Sequence, residues 1–501
     1  MNITEKYIVA IDLGTSKIAL SVAKVSGEDV QVIYYKECGS AGIRYSSVFN
    51  ESLVTGVLSK AVQEAEEELG IKITSAVVGM PKYPVVVQSN TAKIEERGED
   101  SEITMEDISY LKRFAEESYP LADEQKEAIY GAVAQSFSDG ENFQIIEKDI
   151  IGMTGDTVEG NFKVFIGNKR SLNKIDHVMN RIGIPAIRKF FTADSTAKAV
   201  LTNAEMENGV ALIDFGGGCT SVSIYHGNIM RHFASIPFGG KNITDDIKSE
   251  CQISDHLAEN IKLAYGACMP EKLQNLGEKI IHIRSNSADA DKQLPVKYLS
   301  EIITARIEEI IMAILYEIEQ SQFADILRSG IVITGGASQT ANLCNFIYDI
   351  SGYKVRTGYP KGLFSCQGCD GIADTSASTS LGLILAATHD KTINCAINKD
   401  ELAAGISGKV EIENPVEPVK VEKMPQEEIP QEETPAEEIS KPAEGSLSDG
   451  TLLEFEKVKP ATESKKETKK ETRKPKITWK DRIRNTLFNF YDTSTDESPE
   501  A

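Results

Sequence analysis

Between residues 7 and 25, and again from 27 to 36, apolar and polar positions alternate in steps of two around Ser26-Gly27-Glu28-Asp29. This pattern predicts a β-hairpin or the start of a meander. A helix is predicted over about 51–70, followed by a short apolar strand at 75–79. Residues 85–170 mix strands with a helix around Asp107–Glu117 and read as an inserted α+β unit. From Gly209 the opening pattern recurs as strand, glycine-rich turn, strand, turn and strand, so two halves of the chain follow one plan. A helix-rich stretch from about 240 to 322 leads to the buried strand Gly330–Thr334, and Leu381–Ala387 closes the folded part as a packed helix.

The pattern stops near Gly408. Residues 409–476 are rich in Pro, Glu and Lys, and so few apolar side chains cannot offset the entropy of ordering the backbone. A semi-extended, self-repelling linker is expected over 405–476. Apolar positions then return with helical spacing. At about 100° per residue, Trp479, Ile483, Leu487 and Phe490 share a narrow arc, with Asp481, Asn485 and Asn489 opposite. Lys480, Arg482 and Arg484 flank the arc, where their stems can lie along apolar surface and their charges can meet anionic lipid. Residues 477–491 are therefore predicted to form an amphipathic membrane-binding helix. A helix docked on this chain or on a partner is the alternative, and the long tether favours the membrane surface. An acidic run, Asp496–Glu500, follows it.

Composition narrows the function class. The 501 residues are 41% hydrophobic and 26% charged, as in ordinary soluble proteins. A net charge of −22 argues against a nucleic-acid partner, which calls for clustered Lys and Arg. No apolar run reaches the roughly 20 residues that span a bilayer. Met1–Lys6 leads straight into a strand without a signal-peptide layout, so a cytoplasmic location is expected. The eight scattered cysteines suit a reducing compartment. Cys366 and Cys369 have metal-ligand spacing but lack the second pair of a closed zinc site.

Candidate chemistry lies in three turns. The strand Ile8-Val9-Ala10-Ile11 delivers Asp12 and then Gly14-Thr15-Ser16-Lys17. Glycine there lets amide groups approach phosphate oxygens, the hydroxyls and Lys17 add donors, and Asp12 suits a magnesium ion or its waters. Alone, this is also what a hairpin turn looks like. About 200 residues later Val210-Ala211-Leu212-Ile213-Asp214-Phe215-Gly216-Gly217-Gly218-Cys219-Thr220 repeats the design, which favours two opposed phosphate-binding turns over coincidence. Ile331–Thr334 ends in Gly335-Gly336-Ala337, where a bare backbone could pass close to a ribose or base, or simply pack tightly. Neither a Walker loop nor a Rossmann fingerprint accompanies these strands.

This trio resembles the actin, hexokinase and DnaK-type superfamily, in which two α/β lobes enclose ATP. Gly209–Gly218, Ile236–Ile247, Ala305–Ile310 and Ile151–Gly155 resemble the FtsA family more closely. The resemblance implies an α/β, actin/Hsp70-like two-lobed ATPase fold with an inserted α+β subdomain. The first lobe would comprise 1–88 with 168–205 and 366–392, the insert 89–167, and the second lobe 206–365 with a helical part at about 240–305. ATP and Mg2+ would bind through Gly14, Thr15, Ser16 and Lys17 on one side and Gly216, Gly217, Gly218 and Thr220 on the other. Asp12 and Asp214 would organise the metal as catalytic carboxylates. Glu259 and Lys262, at i and i+3 of a predicted helix, would lie near the ribose and adenine, with an exposed ion pair as the alternative. Gly335, Gly336 and Ala337 would lie beneath the adenosine.

The resemblance further implies a polymer or homodimer on the cytoplasmic face of the inner membrane, at the division septum, tethering FtsZ by its C-terminal tail and recruiting later divisome proteins. Trp479, Lys480, Ile483, Arg484, Leu487 and Phe490 would carry the membrane contact. Arg306 would meet the acidic FtsZ tail, or else pair with Glu309 within its own helix. Related ATPases position water with Glu or Gln at the crossover between lobes; here Phe191–Ala197 offers only Asp194, so slow hydrolysis at most is expected. A PilM-type pilus-assembly protein and a small-molecule kinase share the fold. Neither accounts for the terminal segment. A DnaK-type chaperone would need a peptide-binding β-sandwich that 409–476 cannot form.

Overall fold

The computed structural model describes residues 6–95, 101–283, 292–361, 364–366 and 368–399. The expected linker and terminal helix lie outside these residues. The alternation over 7–25 is two strands rather than one, because Gly14-Thr15-Ser16 turns the chain between Leu13 and Lys17. Lys6–Leu13, Lys17–Ser26 and Asp29–Gly39 thus form an antiparallel meander. Ala76–Met80 pairs in parallel on the far side of Lys6–Leu13, Ala186–Phe191 follows it, and Ser365–Cys366 adds the opposite edge.

The second sheet repeats this plan over five strands, without a counterpart to the Ser365–Cys366 edge. Val210–Phe215, Thr220–His226 and Ile229–Ile236 make the meander, and Ile331–Thr334 and Val355–Thr357 run parallel beside its first strand. Val210–Phe215 is buried at every position, as expected of a central strand flanked on both sides.

This topology positions the site. Parallel pairing aligns Ala10 with Val77 and Ile11 with Val78, so whatever follows Lys6–Leu13 emerges beside whatever follows Ala76–Met80. In the second sheet Asp214 is aligned with Thr334. Open α/β sheets bind ligands outside such carboxyl ends, and here both sheets present that edge to one another.

The helices Thr192–Val200 and Ser378–Thr388 pass between the lobes in close contact. A side chain at Gly382 would start 2.1 Å from the Ser195 carbonyl oxygen, and the Thr196 and Thr379 hydroxyls meet at 3.0 Å. The first sheet's core continues through Leu383 and Ile384 to Leu212 and Val332 of the second sheet. The second lobe's outer core is built on Ile303, Ile307, Ile311 and Leu315 of the helix Val296–Gln320. Folding does not end at Ala387, since Ala396–Asn398 pairs with Ile71–Ile73 above the buried Cys395.

Residues between the strands Val85–Ile94 and Val158–Asn168 form a separate unit: a three-stranded antiparallel sheet under the helix Met105–Glu117, with Leu111, Phe137 and Phe162 in its own core. It also leans on the second lobe. The Gln135 side-chain amide donates to the Met230 carbonyl at 2.9 Å, Arg231 donates to the Gln135 carbonyl at 2.9 Å, and the rings of Phe165, Phe191 and Phe233 cluster between them.

Candidate functional site

The two aspartate–glycine turns meet. A Cβ at Gly217 would lie 2.0 Å from the Ser16 hydroxyl oxygen, and one at Gly218 would lie 2.5 Å from that of Thr15. Any side chain at either position would push the turns apart. The second turn is fixed from behind, since the Gly216 and Gly217 carbonyls accept from the Gly240 and Lys241 amides at 2.9 and 2.8 Å.

A cavity of about 390 Å³ runs along this contact, a size typical of small-molecule sites (about 300–1,000 Å³). Asp12, Gly14, Thr15, Ser16 and Lys17 form one wall, and Asp214, Gly216, Gly217 and Gly218 the facing one. Glu259 and Lys262 reach it from the helix Asp255–Tyr265, and Gly335, Gly336 and Ala337 close the end. Gly335 has φ +89°, and a Cβ there would sit 2.6 Å from the Asp214 carboxylate, so conformation and space both demand glycine.

Thr220 is the exception among the proposed nucleotide contacts. Its side chain is fully buried and its hydroxyl donates to the Phe238 carbonyl at 2.8 Å, so it braces the turn from inside the fold and does not reach the cavity. Cys219 lines the wall instead. Glu259 and Lys262 are not a solvent-exposed pair. The Lys262 ammonium donates to Glu259 at 2.8 Å, to the Thr244 hydroxyl at 2.7 Å and to the Gly240 carbonyl at 3.0 Å, tying two helices together at the cavity.

Lys17 pairs with Glu37 and donates to the Tyr35 hydroxyl at 3.3 Å. Burial works to raise the Glu37 carboxyl, but hydrogen bonds from Lys17 and Tyr35 outweigh it and hold the group below its ordinary range. At the centre, Lys82 pairs with Asp214 across the lobes. Burial alone would lower the Lys82 ammonium, yet Asp214 pushes it up to about 12. Burial raises the Asp12 carboxyl, opposed by Lys82 and Lys17.

Asp12 and Asp214 are hard oxygen donors of the kind magnesium takes when phosphates and water complete its shell. Among the described residues no group of three or more His, Cys, Asp or Glu could hold a metal unaided. The donor set therefore fits an ion that arrives with phosphate. Asp194 is not on the cavity wall; it pairs with Lys198 at 2.9 Å along its own helix. Arg306 lies elsewhere on the second lobe. Its guanidinium is held two-pronged by Asp246, at 2.5 and 2.8 Å, and also donates to Glu309 at 2.7 Å.

Lys82, Glu37 and Leu263 line the cavity without having been singled out in the sequence. For Lys82 the signal is its place two residues beyond an apolar strand, which becomes meaningful only once that strand is paired in parallel with Lys6–Leu13. Leu263 is 72% exposed, an apolar surface at the same wall as Lys262, and helical spacing alone reads it as solvent-facing.

Residues 211–382 match the family model of cell division protein FtsA. The chain is 28% identical over 419 residues to the cell division protein FtsA of Neisseria meningitidis serogroup B, spanning 82% of this chain and 99% of the relative. It is 28% identical over 382 residues to that of Pseudomonas aeruginosa, with 76% and 89% covered, and 25% identical over 394 residues to that of Bacillus subtilis, with 78% and 86% covered. Among solved structures, a chain of the PilM–PilN type IV pilus biogenesis complex superposes with a TM-score of 0.53 at 13% identity, over 77% of this chain and 98% of that one. At that identity the likeness is one of fold: a mixed α/β, actin-like architecture.

Proposed function

From its similarity to the FtsA family of cell division proteins, we propose that the chain is a member of that family, binds ATP with Mg2+ between its lobes, polymerises on the cytoplasmic face of the cell membrane at the septum, and tethers FtsZ filaments there. The observation that carries this reading is the contact of Gly217 and Gly218 with Ser16 and Thr15 across a cavity walled by two aspartates. Two glycine turns facing each other offer amide and hydroxyl donors to a chain of phosphates from both sides. Asp12 and Asp214 would hold magnesium's waters, and the bound ion would offset phosphate charge. Glu259, Lys262 and Leu263 would receive the ribose and base, over Gly335, Gly336 and Ala337. Asp194 is turned to Lys198, and the wall carboxylates Glu37 and Glu259 are paired with Lys17 and Lys262, which favours nucleotide acting as a switch more than as fuel.

Membrane contact is assigned to 477–491. Among the described residues no helix is long and apolar enough to cross a membrane. One short amphipathic helix binds reversibly, and polymerisation multiplies its hold through effective concentration. The FtsZ tail is assigned to the second lobe near Arg306, where the acidic peptide would compete with Asp246 for the guanidinium fork. The test is co-sedimentation of FtsZ with anionic vesicles. FtsZ is expected in the pellet only when the full chain and ATP are present; FtsZ left in the supernatant while this chain pellets would contradict the tether.

A further inference from the structure

Three lysines reach the cavity wall, and two are committed to neighbours of their own lobe: Lys17 to Glu37 and Tyr35, Lys262 to Glu259, Thr244 and Gly240. Lys82 differs. It leaves the first lobe two residues after Ala76–Met80, crosses the cavity, and places its ammonium on the Asp214 carboxylate of the second lobe, close enough to Asp12 to act on that charge as well. Only 9% of the residue is exposed. Its partner Asp214, and Asp12 on whose charge it acts, are the two carboxylates that a hydrated magnesium ion would use, so the ammonium stands where a metal's charge is wanted.

The charge on the wall shows why this arrangement would not survive the ligand unchanged. Asp12, Glu37, Asp214 and Glu259 face Lys17, Lys82 and Lys262, one cation short of balance. A triphosphate adds several further negative charges, which a buried site tolerates only when cations meet them. Magnesium held by Asp12 and Asp214 would supply the positive charge that Lys82 supplies there, and would leave the Lys82 ammonium free to meet a phosphate anion of the ligand.

Resting on the ATP reading above, we propose that Lys82 is the resident cation of this cleft: it pairs with Asp214 and offsets the charge beside Asp12 until magnesium and ATP enter, and then transfers its ammonium to the terminal phosphate. A simple latch between the lobes would need Lys82 on Asp214 in every state. The transfer instead makes Lys82 a residue that distinguishes a triphosphate from a diphosphate and keeps bare metal out.

The test uses the full chain freed of nucleotide, with Mn2+ alone followed by electron paramagnetic resonance, and ATP and ADP affinities measured with Mg2+. The wild-type chain is expected to take up no Mn2+ without nucleotide. Lys82→Met should take up Mn2+ weakly, as two freed carboxylates and water allow, and that uptake should vanish in Lys82→Met with Asp12→Asn. In the single variant ATP affinity should fall about 10–100-fold, the worth of one hydrogen bond to a charged group, while ADP affinity changes little. Lys82→Gln, which can still donate to a carboxylate, serves if Lys82→Met melts too early. Equal loss of ATP and ADP affinity, or Mn2+ binding by the wild-type chain alone, would overturn the proposal. Failure of the wild-type chain to bind ATP at all would instead sink the nucleotide reading.

Discussion

Gly218→Val is expected to lower ATP affinity at least about a hundredfold while the chain still melts cooperatively. The loss follows from space: a Cβ at this position begins 2.5 Å from the Thr15 hydroxyl oxygen and 2.6 Å from its methyl carbon, and valine adds two more carbons. Thr15 cannot retreat, because its turn is fixed by the register of Lys6–Leu13 against Lys17–Ser26 and its hydroxyl accepts from the Ser46 amide at 3.0 Å. The second turn must therefore move away, taking its donors out of reach of the phosphates. Hydrogen bonds to charged groups contribute about 1.5–3 kcal/mol each, so losing two suffices for a hundredfold. Both cores lie behind the turns and are untouched, which keeps the melting transition. Calorimetric titration beside a thermal melt checks both halves. A valine variant that binds ATP like the wild type would remove the reason for assigning phosphates to this gap.

A chain ending at Lys476 is expected to stay in the supernatant with anionic vesicles, and to leave FtsZ there too, while binding ATP normally. The shortened chain keeps Lys474 and Lys476 and loses the only tryptophan together with Ile483, Leu487 and Phe490. The comparison thus isolates the apolar arc from much of the basic charge beside it. Fully burying one such side chain stabilises by about 1.5–3 kcal/mol. Even partial insertion of four exceeds the hundredfold change that separates bound from free in a sedimentation assay. Co-sedimentation of the shortened chain at the level of the full one would place the membrane contact elsewhere.

The fold was legible where the information is local. Alternation, two aspartate–glycine turns and small residues after Ile331–Thr334 foretold a duplicated plan, and the two sheets do share one order over five strands, the first adding Ser365–Cys366 at its edge. What escaped depends on register and distance. Cys219 faces the cavity and Thr220, one residue on, faces the Phe238 carbonyl, a difference of parity that the motif Gly-Gly-Gly-Cys-Thr does not encode. Lys82 became visible only through the parallel pairing of strands some 65 residues apart in sequence. For Arg306 the helical neighbour Glu309 was foreseeable from i+3 spacing, but the stronger two-pronged hold by Asp246 comes from another helix. The readings over 405–491 fall outside the described residues.

The central claim, one nucleotide gripped between two opposed turns, is tested most directly by titrating ATP with Mg2+ into the full wild-type chain by calorimetry. The expected isotherm saturates at one nucleotide per chain with a dissociation constant of about micromolar order. A flat isotherm up to millimolar ATP would contradict the account.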